Sequence, residues 1–154
     1  MKRLAVLVLV AACSGGGGPS GGISKADYLR QAEVICAKAN QQQSALKTPT
    51  AVEALAPYVA QVVAIADEAT SALGALEAPK ADQSDLTAKV LTPLKEQLVV
   101  GHAYADQVAV AAKARDNAAL VQLLGNPPTK TRADLRWMKD YGFKDCVEAA
   151  DTSG

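Results

Sequence analysis

The chain has 154 residues, of which 49% are hydrophobic, 21% charged and 4% aromatic, and its formal net charge is zero. That length suits one domain with a core of its own. With no basic cluster beyond Lys2 and Arg3, it lacks the electrostatic footprint of a nucleic-acid binder.

The chain opens with Met1, Lys2 and Arg3, a charged start, followed by the nine apolar residues Leu4 to Ala12. A bilayer-spanning helix takes about 20 residues, so this run is expected to be a signal segment rather than a permanent anchor. It ends in Val10-Ala11-Ala12-Cys13, the aliphatic, small, small, cysteine order of a lipobox. Small side chains suit a narrow peptidase site, and the cysteine thiol takes a diacylglycerol before the cut frees its amine. Ordinary secretory cleavage also accepts Val-Ala-Ala. The cysteine directly after the small pair, with Ser14 and a glycine-rich stretch behind it, favours a lipoprotein. The expected division is a signal peptide over 1–12, a lipidated Cys13 with a Gly/Ser-rich tether to 23, and a helical domain over 24–146. A frayed tail is expected over 147–154.

The cysteine count leads the same way. The chain has three, Cys13, Cys36 and Cys146. An odd number is awkward for an exported protein. Assigning Cys13 to a lipid leaves an even pair, and a Cys36–Cys146 disulfide is the expected state in an oxidising compartment.

Ser24 opens the first expected helix, with Asp27 as a weak capping box, and the helix runs to about Leu46. Tyr28, Leu29, Ala32, Ile35, Cys36, Ala39 and Leu46 share one face at helical spacing. Thr50-x-x-Glu53 is a full capping box for the second helix. Its seam is Val52, Leu55, Val59, Val62, Ala66, Ala69, Leu73 and Leu76, with Pro57 expected to kink the first turns. The third helix begins near Ser84 and carries Leu91, Leu94, Leu98, Gly101, Ala105, Val108 and Ala112, with Pro93 expected to bend it.

Asp116 caps a short stretch with Leu120, Val121, Leu123 and Leu124, which Gly125-Asn126-Pro127-Pro128 breaks. A last helix carries Leu135, Trp137, Met138 and Tyr141. Gly142 reads as its left-handed C-terminal residue, with Phe143 folding back onto Met138. The fold class is all-α. Four helical segments with short loops make an up-down-up-down four-helix bundle with kinked helices the default. Its topology brings the C-terminal tail, with Cys146, close to helix 1 and Cys36.

Facing seams of helices 2 and 3 pair Leu73 with Leu91, Ala66 with Leu98 and Val62 with Gly101, so small residues mostly meet larger ones. That pattern predicts a filled interface rather than a ligand tunnel.

These residues resemble a loose group of small, Ala-rich helical lipoproteins and secreted proteins of high-GC Gram-positive (actinobacterial) bacteria. The resemblance rests on the cysteine in the first helix, within Tyr28-Leu29-Arg30-Gln31-Ala32-Glu33-Val34-Ile35-Cys36, and on the ending Tyr141-Gly142-Phe143-Lys144-Asp145-Cys146. It spans residues 24–146. It implies a disulfide-closed bundle and no particular activity.

The chemical inventory is thin. His102 is the sole histidine; Asp106, four residues on, shares its surface and could orient the ring for base work or a metal. Val99 stands where a di-iron site would need a glutamate, and no nucleophile signature lies near, so a structural histidine is the plainer expectation. A His102–Met138 haem pair is conceivable, yet Met138 is already assigned to the helix end. Trp137, Tyr141 and Phe143 suit core packing better than a pocket, though Trp137 and Tyr141, with His102, are the candidate binding residues. The charges Asp67 and Glu68 read as a solvated face. No cofactor and no catalytic or metal-binding residue is expected. The expected function is a non-catalytic binding or interaction module, held by its lipid on the extracytoplasmic face of a membrane. Its expected partner is a protein or another component of the cell envelope. A carrier of a small apolar ligand between the helices is the alternative, and an enzyme the remainder.

Overall fold

A computed structural model describes residues 22–128 and 133–152 of the chain. The leader, Cys13 and the tether up to residue 21 lie outside the described residues. The described residues are all helical, with no strand among them. The long helices are α1 (Lys25–Ser44), α2 (Leu55–Ala75) and α4 (Thr92–Ala114). The short α3 (Gln83–Leu86) and a π turn (Thr87–Leu91) lead directly into α4. Beyond α4 lie α5 (Asn117–Gly125), α6 (Leu135–Tyr141) and α7 (Asp145–Thr152). No described helix is long and apolar enough to cross a membrane.

Local chemistry explains most of the boundaries. The Ser24 side chain accepts the Asp27 amide to cap α1, and Asp116 and Asp134 do the same for α5 and α6 by accepting from Ala119 and Trp137. Gly142 ends α6 at φ 117°, and the Phe143 amide reaches back to the Met138 carbonyl at 3.0 Å. That is the expected left-handed ending, with Phe143 and Met138 buried in one core.

Prolines act differently from expectation. Thr50 and Glu53 do not cap α2; a 3₁₀ turn at Val52–Ala54 precedes it, with no side-chain cap. Pro57 falls in the first turn of α2, where a missing N–H costs nothing, so it starts the helix instead of kinking it. Pro93 sits at the start of α4, directly after the π turn. Widening the helix there accommodates the ring and frees the Lys89 carbonyl, which has no amide at position 93 to bond.

The neighbour order across the molecule is α7, α1, α2, α4, α5, each packed on the next. Three long helices stand among the described residues, and beyond them the chain forms the short α5, α6 and α7 in place of one further long helix. Three antiparallel long helices are closed at their two ends by short ones. The main core lies at one end, where Tyr28, Ala32 and Cys36 of α1 meet Leu73, Leu86 and Val90, with Met138, Tyr141 and Phe143 as the cover. A smaller core of Val108, Ala111 and Leu120 joins α4 to α5, with Leu55 and Val59 of α2 against it.

As the central helix, α2 has neighbours on two sides, so its buried line departs from a single seam. Ala66 and Val52 are exposed, whereas Thr70 is buried. Val63, not Val62, lies over Gly101: a Cβ added at Gly101 would sit 3.6 Å from the Val63 Cγ2. The tail after 146 is not frayed throughout. Residues Asp145–Thr152 form α7, packed on α1.

Candidate functional site

Cys36 and Cys146 are bonded, with Cα atoms 4.8 Å apart and a separation of 110 positions in sequence. Both are buried. Beside the bridge, the Glu33 carboxylate accepts the Lys144 amide at 2.9 Å and the Asp145 amide at 2.7 Å. Asn40 donates to the Asp145 carbonyl at 3.1 Å. A carboxylate one turn before the cysteine thus caps the helix that carries the other cysteine. Sequence reading missed Glu33, because its partners are backbone amides over a hundred residues away.

The candidate binding residues separate into two places. Trp137 and Tyr141 stack with ring centroids 4.7 Å apart, and Tyr141 stacks in turn on Phe143 at 5.5 Å. Phe143 meets Tyr28 edge-on at 6.3 Å. The Tyr141 ring is buried, and its hydroxyl donates to Asp82 at 2.7 Å. Burial first, and the Asp82 carboxylate second, push the Tyr141 phenol well above its ordinary range. Lys25 stands 4.0 Å over the Tyr141 ring and Lys89 4.9 Å over the Trp137 ring. Trp137 is half-buried. This corner is a packed aromatic stack with lysines on its outer faces.

His102 does not join it. Thirteen residues beyond Lys89 on nearly continuous helix, it lies roughly 20 Å further along the axis. Its partner is Asp67 of α2, at 2.7 Å from Nε2, and not the Asp106 expected from spacing. Both side chains are about half exposed. The cause is packing: α2 lies against α4, and Asp67 reaches the imidazole across the interface. The next residue, Glu68, turns the other way and pairs with Lys38 of α1, aided by Gln42. Those hydrogen bonds, then the Lys38 charge, hold the Glu68 carboxyl below its usual range. The two charges read as a solvated face are the cross-links of the central helix to both neighbours.

No group of three or more His, Cys, Asp or Glu side chains gathers as a metal site among the described residues. A surface hollow of about 190 Å³ is lined by Asn40, Gln43, Ser44 and Glu148. A groove of about 100 Å³ between α1 and α2 is lined by Ile35, Ala39, Ala69 and Ala72, with Lys38, Gln42 and Glu68 around them. Small-molecule sites usually take about 300 Å³ or more. Comparison with family models, with curated proteins and with solved structures returned no match for this chain.

Proposed function

We propose that this chain is an exported lipoprotein, held on the extracytoplasmic face of a membrane through Cys13, whose helical domain acts as a non-catalytic binding module. The observation that carries the reading is the cysteine pairing. With Cys36 and Cys146 joined, Cys13 is the one remaining thiol, and it follows directly on Val10-Ala11-Ala12. A buried disulfide suits an oxidising compartment, and the spare cysteine stands where a lipobox needs it.

Recognition on the outer surface fits the packing better than a carried ligand does. Ala66 is exposed, Val63 covers Gly101, and the groove beside Ala69 is small and rimmed by Lys38, Gln42 and Glu68. Apolar side chains instead stand outward, with Val99 70%, Val110 69% and Val121 73% exposed. The domain is read as a variant of the four-helix bundle in which α5, α6 and α7 take the place of the fourth helix.

Intact mass of the protein from membrane fractions tests the anchor. A chain beginning at Cys13 and carrying acyl mass is expected, and Cys13→Ala should yield unanchored protein or uncleaved precursor. An unmodified N-terminus at Ser14 or later rejects the anchor. Crosslinking on intact cells then tests recognition, with a discrete crosslinked partner as the expected product and the bare monomer as the refuting one.

A further inference from the structure

We infer that the end of the domain nearest the tether docks on an anionic phospholipid surface, with Lys25, Lys80 and Lys89 meeting headgroups around Trp137. The inference rests on the anchored reading of Cys13. It starts from where the described chain begins. A Cβ at Gly22 would lie 3.3 Å from the Lys80 side chain, so the entering strand of chain runs along Lys80. Three residues later, Lys25 covers Tyr141, which stacks on Trp137, which lies under Lys89. Lys25, Tyr141, Trp137 and Lys89 form one run of contacts, and Gly22, three residues before Lys25, lies beside Lys80.

Charge at this end is uneven in what is already satisfied. Asp27 bonds Ser24 and Arg30, Asp82 accepts from Tyr141, and Asp85 pairs with Lys89. Glu77 stays exposed in the connection from α2 to α3, and Asp140 stays exposed on α6. Against them stand the exposed Lys25 and Lys80, neither paired with a carboxylate among the described residues, and Lys89, whose ammonium also faces the indole. Long lysine stems with charged tips beside a half-buried tryptophan are the side chains that settle at a headgroup layer.

Chain length supplies the rest. From Cys13 to Gly22 is nine residues, which reach at most roughly 30 Å when fully extended. An anchor at Cys13 therefore keeps Gly22, at this end, within that distance of the lipid. Tethering makes docking intramolecular, so contacts worth about a five-fold preference per lysine suffice to orient the domain. The exposed valines of α4 and α5 are then free to meet a partner.

Trp137 is the sole tryptophan, so its emission reports this end alone. The chain from Cys13 onward, disulfide intact, is coupled through Cys13 to a maleimide lipid in phosphatidylcholine vesicles, with or without phosphatidylglycerol. Attachment then does not depend on lipidation by the cell. Quenching of Trp137 by a nitroxide-headgroup lipid is expected to rise about two-fold with phosphatidylglycerol and to fall back in about 1 M salt, where screening shortens to about 3 Å. The Lys25→Gln, Lys80→Gln double variant, with unchanged helix content, should lose the rise. Equal quenching with and without the anionic lipid overturns the inference, as does a rise that the double variant keeps. A cellular protein found without acyl mass removes the anchored reading separately, while the coupled vesicles still decide lipid docking.

Discussion

The backbone amide of Asp134 donates to the carbonyl of Lys89 at 3.0 Å. Lys89 stands four residues before Pro93, the position whose missing N–H would otherwise take that carbonyl. The acceptor freed by a proline in one helix thereby holds the residue that caps another, since the Asp134 side chain also accepts the Trp137 amide at 2.9 Å.

Restoring the amide should loosen this junction. Pro93→Ala offers the Lys89 carbonyl a helical partner and removes the need for the π turn. We expect faster hydrogen exchange at the Asp134 amide and a net loss of about 1 kcal/mol, despite the better helix propensity of alanine. Unchanged exchange at Asp134 would show that the proline has no part in docking α6.

The Cys36–Cys146 bridge closes a loop of 110 residues. Chain-entropy reasoning credits such a loop with about 4–5 kcal/mol as an upper figure, a large part of a small domain's stability. Cys36→Ala should therefore melt far below the parent in thermal scans without reductant. Two free thiols in a non-reducing peptide map of exported protein would refute the bridge.

Glu33 joins α1 to α7 by two backbone amides at 2.9 and 2.7 Å. Glu33→Ala leaves both donors without their acceptor at a helix start, at a cost of about 1–2 kcal/mol. Exchange at the Lys144 and Asp145 amides should quicken while the disulfide still holds Cys146. If denaturant midpoints of Glu33→Ala and parent coincide, water replaces the carboxylate without loss.

Alkaline pH should destabilise the fold. Burial raises the phenols of Tyr28 and Tyr104, and burial with the Asp82 carboxylate raises Tyr141 furthest. A raised folded pKa means stability that is fully present below the unfolded tyrosine value of about 10 and is lost as pH climbs through the folded values. Spectrophotometric titration should show late-ionising tyrosines whose ionisation coincides with loss of helix. In Tyr141→Phe the unfolding step should persist through the remaining tyrosines, with stability at neutral pH lower by about 1 kcal/mol from the lost bond to Asp82. Titration of every tyrosine near pH 10, with helix intact, would contradict this account.

The sequence by itself determined whatever depends on residues within a few positions of one another. The caps at Ser24 and Asp116, the left-handed Gly142 and the buried face of Tyr28, Ala32 and Cys36 were legible because helical hydrogen bonds and side-chain periodicity are local. The Cys36–Cys146 pairing was legible by count alone. Tertiary structure decided the rest. Spacing offered Asp106 to His102 and left Asp67 as a solvated charge, and only the packing of α2 on α4 brings Asp67 to the imidazole. Glu33 reads as one more helical glutamate until α7 is placed against it. Ala66 matched the seam spacing, yet it faces solvent because α2 is packed on two sides and its buried line cannot follow one stripe. The physical reason is common to all three. A carboxylate's reach and a helix's covered face depend on which distant segments lie beside it, and that order follows from burial of the whole core rather than from any local pattern.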